Sequence, residues 1–111
     1  MFEIILTEKA QNQFQKLKKA AGLKTNTKNK KSSKQAGLFK QIKKAINLLS
    51  ADPRHPGLKT HKYSSIDHPW DKQGKVFEAY AQNNTASAYR IFWCYGPNAK
   101  EITIIAIVPH P

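Results

Sequence analysis

The stretch from Gly74 to Val108 leaves a chain of this length few ways to fold. It holds three runs rich in aromatic and β-branched residues, Lys75-Val-Phe-Glu-Ala-Tyr-Ala81, Ala88-Tyr-Arg-Ile-Phe-Trp-Cys-Tyr95 and Ile102-Thr-Ile-Ile-Ala-Ile-Val108. Such residues fit a pleated, half-buried surface, so each run predicts a strand. Asn83-Asn84 and Gly96-Pro97-Asn98 separate the runs with turn formers, and an antiparallel meander follows. In the middle run, period-2 alternation sends Tyr89, Ile91, Trp93 and Tyr95 to one face and Arg90, Phe92 and Cys94 to the other. Arg90 is the only charge in a strand expected to be central. A charge in that position requires a partner or an anionic ligand.

The first half of the chain supplies what covers such a sheet. Phe2-Glu-Ile-Ile-Leu6 reads as a short strand with Phe2, Ile4 and Leu6 on one face. Thr7 is an expected N-cap, with Glu8 in the first turn where the helix dipole favours a carboxylate. Ala10, Phe14, Leu17 and Ala21 then recur at helical spacing, and Gly22 ends a helix running from about Glu8 to Ala21. The polar, Lys-rich residues that follow predict a flexible basic connection over 22–34. At its end, Ser32 with Gln35 three residues on has the spacing of a capping box. Leu38, Ile42, Ala45, Ile46 and Leu49 form a second helical stripe that Asp52-Pro53 stops. In the loop after it, Leu58 and Tyr63 are expected anchors, and Ile66 and Trp70 are expected to tuck back onto the core. The expected fold is therefore one α+β domain over residues 1–111. An N-terminal strand and a helical hairpin precede a three-stranded antiparallel meander, giving one sheet with the helices packed on one face.

Charge narrows the class of partner. The formal net charge is +12, from 19 Lys and Arg against 7 Asp and Glu. Residues 1–50 hold 12 Lys and 2 Glu, a net of +10, while residues 51–111 hold 7 Lys and Arg against 5 Asp and Glu, a net of +2. A field of this sign attracts polyanions, nucleic acid above all. The single cysteine, Cys94, allows no internal disulfide and reads as a small buried hydrophobe in a reducing, cytoplasmic setting. No run reaches the length of a membrane span, and the N-terminus lacks the pattern of a signal peptide.

The residues that can carry chemistry are few. Cutting RNA without a metal needs a base for the ribose 2′-OH, an acid for the leaving 5′-oxygen and cations for the charge that develops on the phosphate. Arg90 offers a planar fork that matches phosphate oxygens. Histidine exchanges protons near neutrality, which makes His61 and His110 candidates for transfer. Glu78 is a second candidate base if its strand register sets it beside Arg90; the alternative is a cross-strand ion pair that orders the sheet. Lys59 and Lys62 can hold flanking phosphates, and Tyr80 can stack on a base. His55 and His68 precede prolines in turns and read as structural. No Cys or His spacing predicts a metal site or another cofactor.

Four segments taken together resemble the RelE/ParE superfamily of toxins from type II toxin–antitoxin pairs. They are Pro56-Gly-Leu-Lys-Thr-His-Lys-Tyr63, Phe77-Glu-Ala-Tyr80, Ala88-Tyr-Arg-Ile-Phe-Trp93 and the closing Ile105-Ala-Ile-Val-Pro-His110. The resemblance implies a RelE-like fold, a cognate and acidic antitoxin, and, in the RelE and HigB branches, entry into the ribosome and cleavage of mRNA. Arg90 falls on the strand arginine that such members use on the scissile phosphate, and His110 falls close to the position after the last strand where relatives carry a catalytic Arg or His. Glu78 and Tyr80 stand where one branch has two lysines. Two other functions remain open for this fold: a ParE-like protein inhibitor of DNA gyrase, and a basic RNA-binding module that does not cut.

Overall fold

In the computed structural model, which describes residues 1–22, 32–82 and 87–109, the element order is β1 (Glu3–Leu6), α1 (Glu8–Ala20), α2 (Ser32–Ala51), a 3-10 turn (Pro56–Leu58), β2 (His61–Lys62), β3 (Phe77–Tyr80), β4 (Tyr89–Tyr95) and β5 (Glu101–Pro109). The strands form one mixed sheet in the order β1-β5-β4-β3-β2. The expected meander is its β3-β4-β5 part, antiparallel throughout, with β4 at the centre. Two features depart from the expectation. β1 lies parallel beside β5, and a fifth strand, β2, pairs antiparallel with β3. β2 is two residues long, too short for an alternating pattern to announce it.

The helices cover one face. Phe2, Ile4 and Leu6 of β1, Ala10, Phe14 and Leu17 of α1, and Leu38, Ile42, Ala45, Ile46 and Leu49 of α2 pack with Ala79, Ile91, Trp93, Ile102, Ile104 and Ile107 of the sheet. Phe39, outside the predicted stripe, is also buried and meets Phe14 at a ring distance of 5.1 Å, joining the two helices. On the other face Val76, Phe92 and Ala106 are buried under Tyr63 and Ile66, which leaves much of that face without a helical cover. Trp70 does not tuck in as expected: it is half exposed, and it rests edge-on against His68 at 4.6 Å. His68 in turn accepts the backbone N–H groups of Trp70 and Asp71, so the turn is held locally and the indole is left outside.

Thr7 joins the layers. Its Oγ1 accepts the N–H of Ala10, as an N-cap should, and donates to the carbonyl of Ile105 at 3.0 Å. Ile105 is the extra residue where the β4–β5 register shifts, between the pairs Phe92–Ala106 and Trp93–Ile104. A bulge residue has no ladder partner for its polar groups, and the cap of α1 provides one. The expected connection over 22–34 lies largely outside the described residues, although α2 already begins at Ser32.

Candidate functional site

The face without helices carries a cluster built by strand register. His61 is paired with Glu78, Glu78 with Phe92 and Tyr80 with Arg90, so all four polar or aromatic side chains project to the same side as Phe92. The 3-10 turn sets up β2. Leu58 is fully buried and anchors the turn, and Lys59 takes a left-handed conformation with φ 49°. That reversal lets Thr60 and His61 run out along the β3 edge, where Tyr63 N–H donates to Val76 O at 2.8 Å.

Within the cluster, His61 Nε2 is 2.6 Å from Glu78 Oε1. Glu78 is 1% exposed whereas His61 is about half exposed, so the carboxyl is buried and the imidazole is the group that meets solvent. His61 Nδ1 faces the carbonyl of Lys59 at 3.2 Å. A carbonyl only accepts, so Nδ1 carries its proton toward Lys59 O, and the short Nε2–Oε1 contact places one proton between imidazole and carboxyl. At 2.6 Å that proton is shared along a short, strong hydrogen bond.

Arg90 lies diagonally across. Its Nε is 3.8 Å from Glu78 Oε2, too long for a hydrogen bond, and this nitrogen has no other hydrogen-bond partner among the described residues. Nη1 donates to the carbonyls of Gln82 at 3.0 Å and Tyr89 at 3.4 Å. The guanidinium carbon sits 3.7 Å from the Tyr80 ring centroid, and Lys59 Nζ lies 5.8 Å from the same ring. Cation–π contact of this kind stabilises a guanidinium out of water. Arg90 is therefore a buried cation with an engaged face and an Nε edge turned toward the one nearby carboxylate.

The structure brings together Lys59, His61, Glu78, Tyr80 and Arg90 from the predicted set. Lys62, paired with Phe77, projects to the helix-facing side. His110 lies outside the described residues. Gln82 is an addition: its carbonyl holds Arg90, its Oε1 accepts the N–H of Tyr89, and its Nε2 donates to Gln41 of α2. Nothing in the sequence marks Gln82, since a polar residue after a strand is ordinary. Cys94 is fully buried on the cluster's side of β4, and burial pushes its thiol up to about 11. Among the described residues no group of three or more His, Cys, Asp or Glu can hold a metal ion, and no helix is long and apolar enough to cross a membrane.

A mixed sheet of this order with a helical hairpin on one face and the 63–76 segment on part of the other is an architecture shared with solved toxin structures. Solved structures that share it include a YoeB/ParE toxin from Agrobacterium tumefaciens, with 13% identity over 98% of this chain and 99% of that one and a TM-score of 0.64. A chain of the archaeal RelE–RelB complex from Pyrococcus horikoshii OT3 matches with 12% identity, 97% and 93% coverage and a TM-score of 0.56. A copper-bound mutant toxin from Helicobacter pylori matches with 14% identity, 99% and 96% coverage and a TM-score of 0.51. At these identities the likeness is one of fold. No protein-family model and no curated protein sequence matches the chain.

Proposed function

We propose that this chain is the toxin of a type II toxin–antitoxin pair and that it inhibits translation by cutting mRNA on the ribosome without a metal. The convergence of His61, Glu78 and Arg90 on the sheet face without helices carries this reading. An inhibitor that works by protein contact alone, such as a gyrase poison, has no need for a proton-sharing pair beside a buried arginine. Acid–base cutting of RNA needs both.

In this mechanism His61 is the group that touches substrate. Its exposed imidazole takes the proton of the 2′-OH as the 2′-oxygen bonds to phosphorus, and the imidazolium so formed passes that proton to the 5′-oxygen as the P–O5′ bond breaks, leaving a 2′,3′-cyclic phosphate. Glu78 is a positioning residue, because its burial leaves it in contact with His61 rather than with RNA. It fixes the imidazole's orientation and stabilises its charged form, as the buried carboxylate of a catalytic triad does. Arg90 adds fixed positive charge where the pentavalent phosphate gathers negative charge, held in place in advance by Gln82 and Tyr80. Lys59 extends the positive field along the strand edge. The RelE–RelB neighbour supports an antitoxin as partner, and the charge of this chain calls for an acidic one lying on the sheet face without helices or across the hairpin.

The test is induced expression of wild type, His61→Ala and Arg90→Ala in a bacterial host, with primer extension on a reporter mRNA. Cuts within translated codons, lost in both variants and when ribosomes are blocked, are the expected result. Growth arrest without cuts would transfer the reading to a protein target such as gyrase.

A further inference from the structure

The helix-facing side of the sheet has a feature that this chemistry leaves unused. Phe77, Trp93 and Tyr95 project there, with Phe77 and Trp93 stacked at 4.9 Å and 29° and Tyr95 set edge-on to Trp93 at 4.9 Å. Together they form one wall of a cleft of about 630 Å³ whose other wall is the loop over 53–60. Arg54, Lys59 and Lys62 stand around it, and no carboxylate is present among the described residues that line it. Tyr95 is 44% exposed, although residues 90 to 94 of the same strand are all buried.

Trp93 lines this cleft, is 1% exposed, and its Nε1–H has no acceptor among the described residues. A buried indole N–H ordinarily has one, and leaving it without costs stability. His55, also in the lining, accepts the Gly57 N–H at Nδ1, so the proton of its neutral ring sits on Nε2 and adds one more donor. The cleft thus presents aromatic surface, hydrogen-bond donors and positive charge. Its complement is a flat ring with acceptor atoms that carries a negative charge, which describes a nucleotide. An acidic peptide matches the charge but makes poorer use of the aromatic wall.

We infer that this cleft is a nucleotide subsite, in which a base lies against Tyr95 with an acceptor toward His55 Nε2 and a phosphate between Arg54 and Lys62. The inference rests on the RNA-cutting reading for its substrate. Lys59 and His61 belong both to the cluster and to the lining of the cleft, so a strand held with its scissile phosphate at Arg90 passes over the β2 edge and lays a neighbouring nucleotide into the cleft. Stacking and positive charge are how single strands are held without reading their sequence.

Trp70 and Trp93 are the two tryptophans of the chain, so Trp70→Phe leaves Trp93 as the sole indole reporter. Purified Trp70→Phe protein is titrated with a short single-stranded RNA whose 2′-hydroxyls are methylated, and Trp93 emission is followed. Saturable quenching is expected, with the dissociation constant raised about tenfold by Arg54→Ala and again by Tyr95→Ala, and with quenching retained in Lys44→Ala, which removes an exposed charge on α2 away from the cleft. Emission that does not change as RNA is added overturns the subsite, and so does quenching by an oligoglutamate peptide in place of RNA. Quenching without any cutting of the reporter mRNA overturns the catalytic reading and leaves the subsite standing; cutting with unchanged emission does the reverse.

Discussion

His61 Nε2 and Glu78 Oε1 lie 2.6 Å apart at directly opposed positions of β2 and β3, with the carboxylate buried and the imidazole half in solvent. A pair so arranged acts as one unit, since removing either partner leaves the other in the wrong state. Without His61 the buried Glu78 has lost a charged partner. Without Glu78 the imidazole has lost what orients it.

The first prediction follows from that unity. His61→Ala and Glu78→Gln should each lower cleavage by about 10² to 10⁴-fold, the range of a proton-transfer group. The double variant should be no worse than the poorer single one, because residues that act together do not add. Cleavage rates on a reporter mRNA for the four proteins of the cycle check this. Independent, multiplying losses would show that the two groups act separately.

Arg90 separates a structural from a catalytic share. Nη1 binds the Gln82 carbonyl and the guanidinium covers Tyr80, so Arg90→Ala should lower stability by about 1–3 kcal/mol, the cost of an unmade hydrogen bond to a charged group. Arg90→Lys keeps the positive charge but has neither the fork nor the planar face. It should recover part of the stability and little of the cleavage. Denaturant melts beside primer extension read the two shares, and full recovery of cleavage in Arg90→Lys would reduce the role of Arg90 to charge alone.

These residues differ in how visible they are in the sequence. The faces of β4 were legible because Tyr89, Ile91, Trp93 and Tyr95 alternate strictly with Arg90, Phe92 and Cys94, and a one-residue slip would have turned Arg90 into the apolar layer under the helices. Helix α1 was legible through Thr7 and the Ala10, Phe14, Leu17 stripe. The contact between His61 and Glu78 was not, because it depends on β2, a strand of two residues whose position is set by the buried Leu58 and the left-handed Lys59 rather than by any pattern of its own. Trp70 misled for a related reason. Aromatic character argues for burial, but the local bonds of His68 fix that turn and leave the ring outside.

The Cys94 thiol provides a prediction about pH. Burial raises it from 9.0 to about 11, so the folded protein keeps the thiol neutral where the unfolded chain would ionise it. Thiolate is the reactive form. Alkylation by iodoacetamide at pH 8 should therefore be slow in the native protein and fast in denaturant. The sign for stability is also fixed: the folded value lies above the unfolded one, so this contribution is whole below pH 9 and is lost as pH rises from 9 through about 11. Cys94→Ala should flatten that part of the stability curve, whereas an equal fall in the variant would assign the loss to other groups.

Thr7 supports a last prediction, which tests how the layers are joined. Its hydroxyl oxygen accepts from Ala10 N–H while its proton goes to Ile105 O at the β5 bulge, so one side chain satisfies two backbone groups from different elements. Thr7→Ala should cost about 1–2 kcal/mol, toward the upper end for an N-cap, because the bulge carbonyl loses its donor together with the helix. Thr7→Ser keeps the hydroxyl and should cost well under half as much. Asp at this position can cap the helix but has no proton to give Ile105, so Thr7→Asp separates the two bonds: stability equal to Thr7→Ser would mean that the cap alone matters, and stability closer to Thr7→Ala would show that the tie from α1 to the sheet carries the larger part.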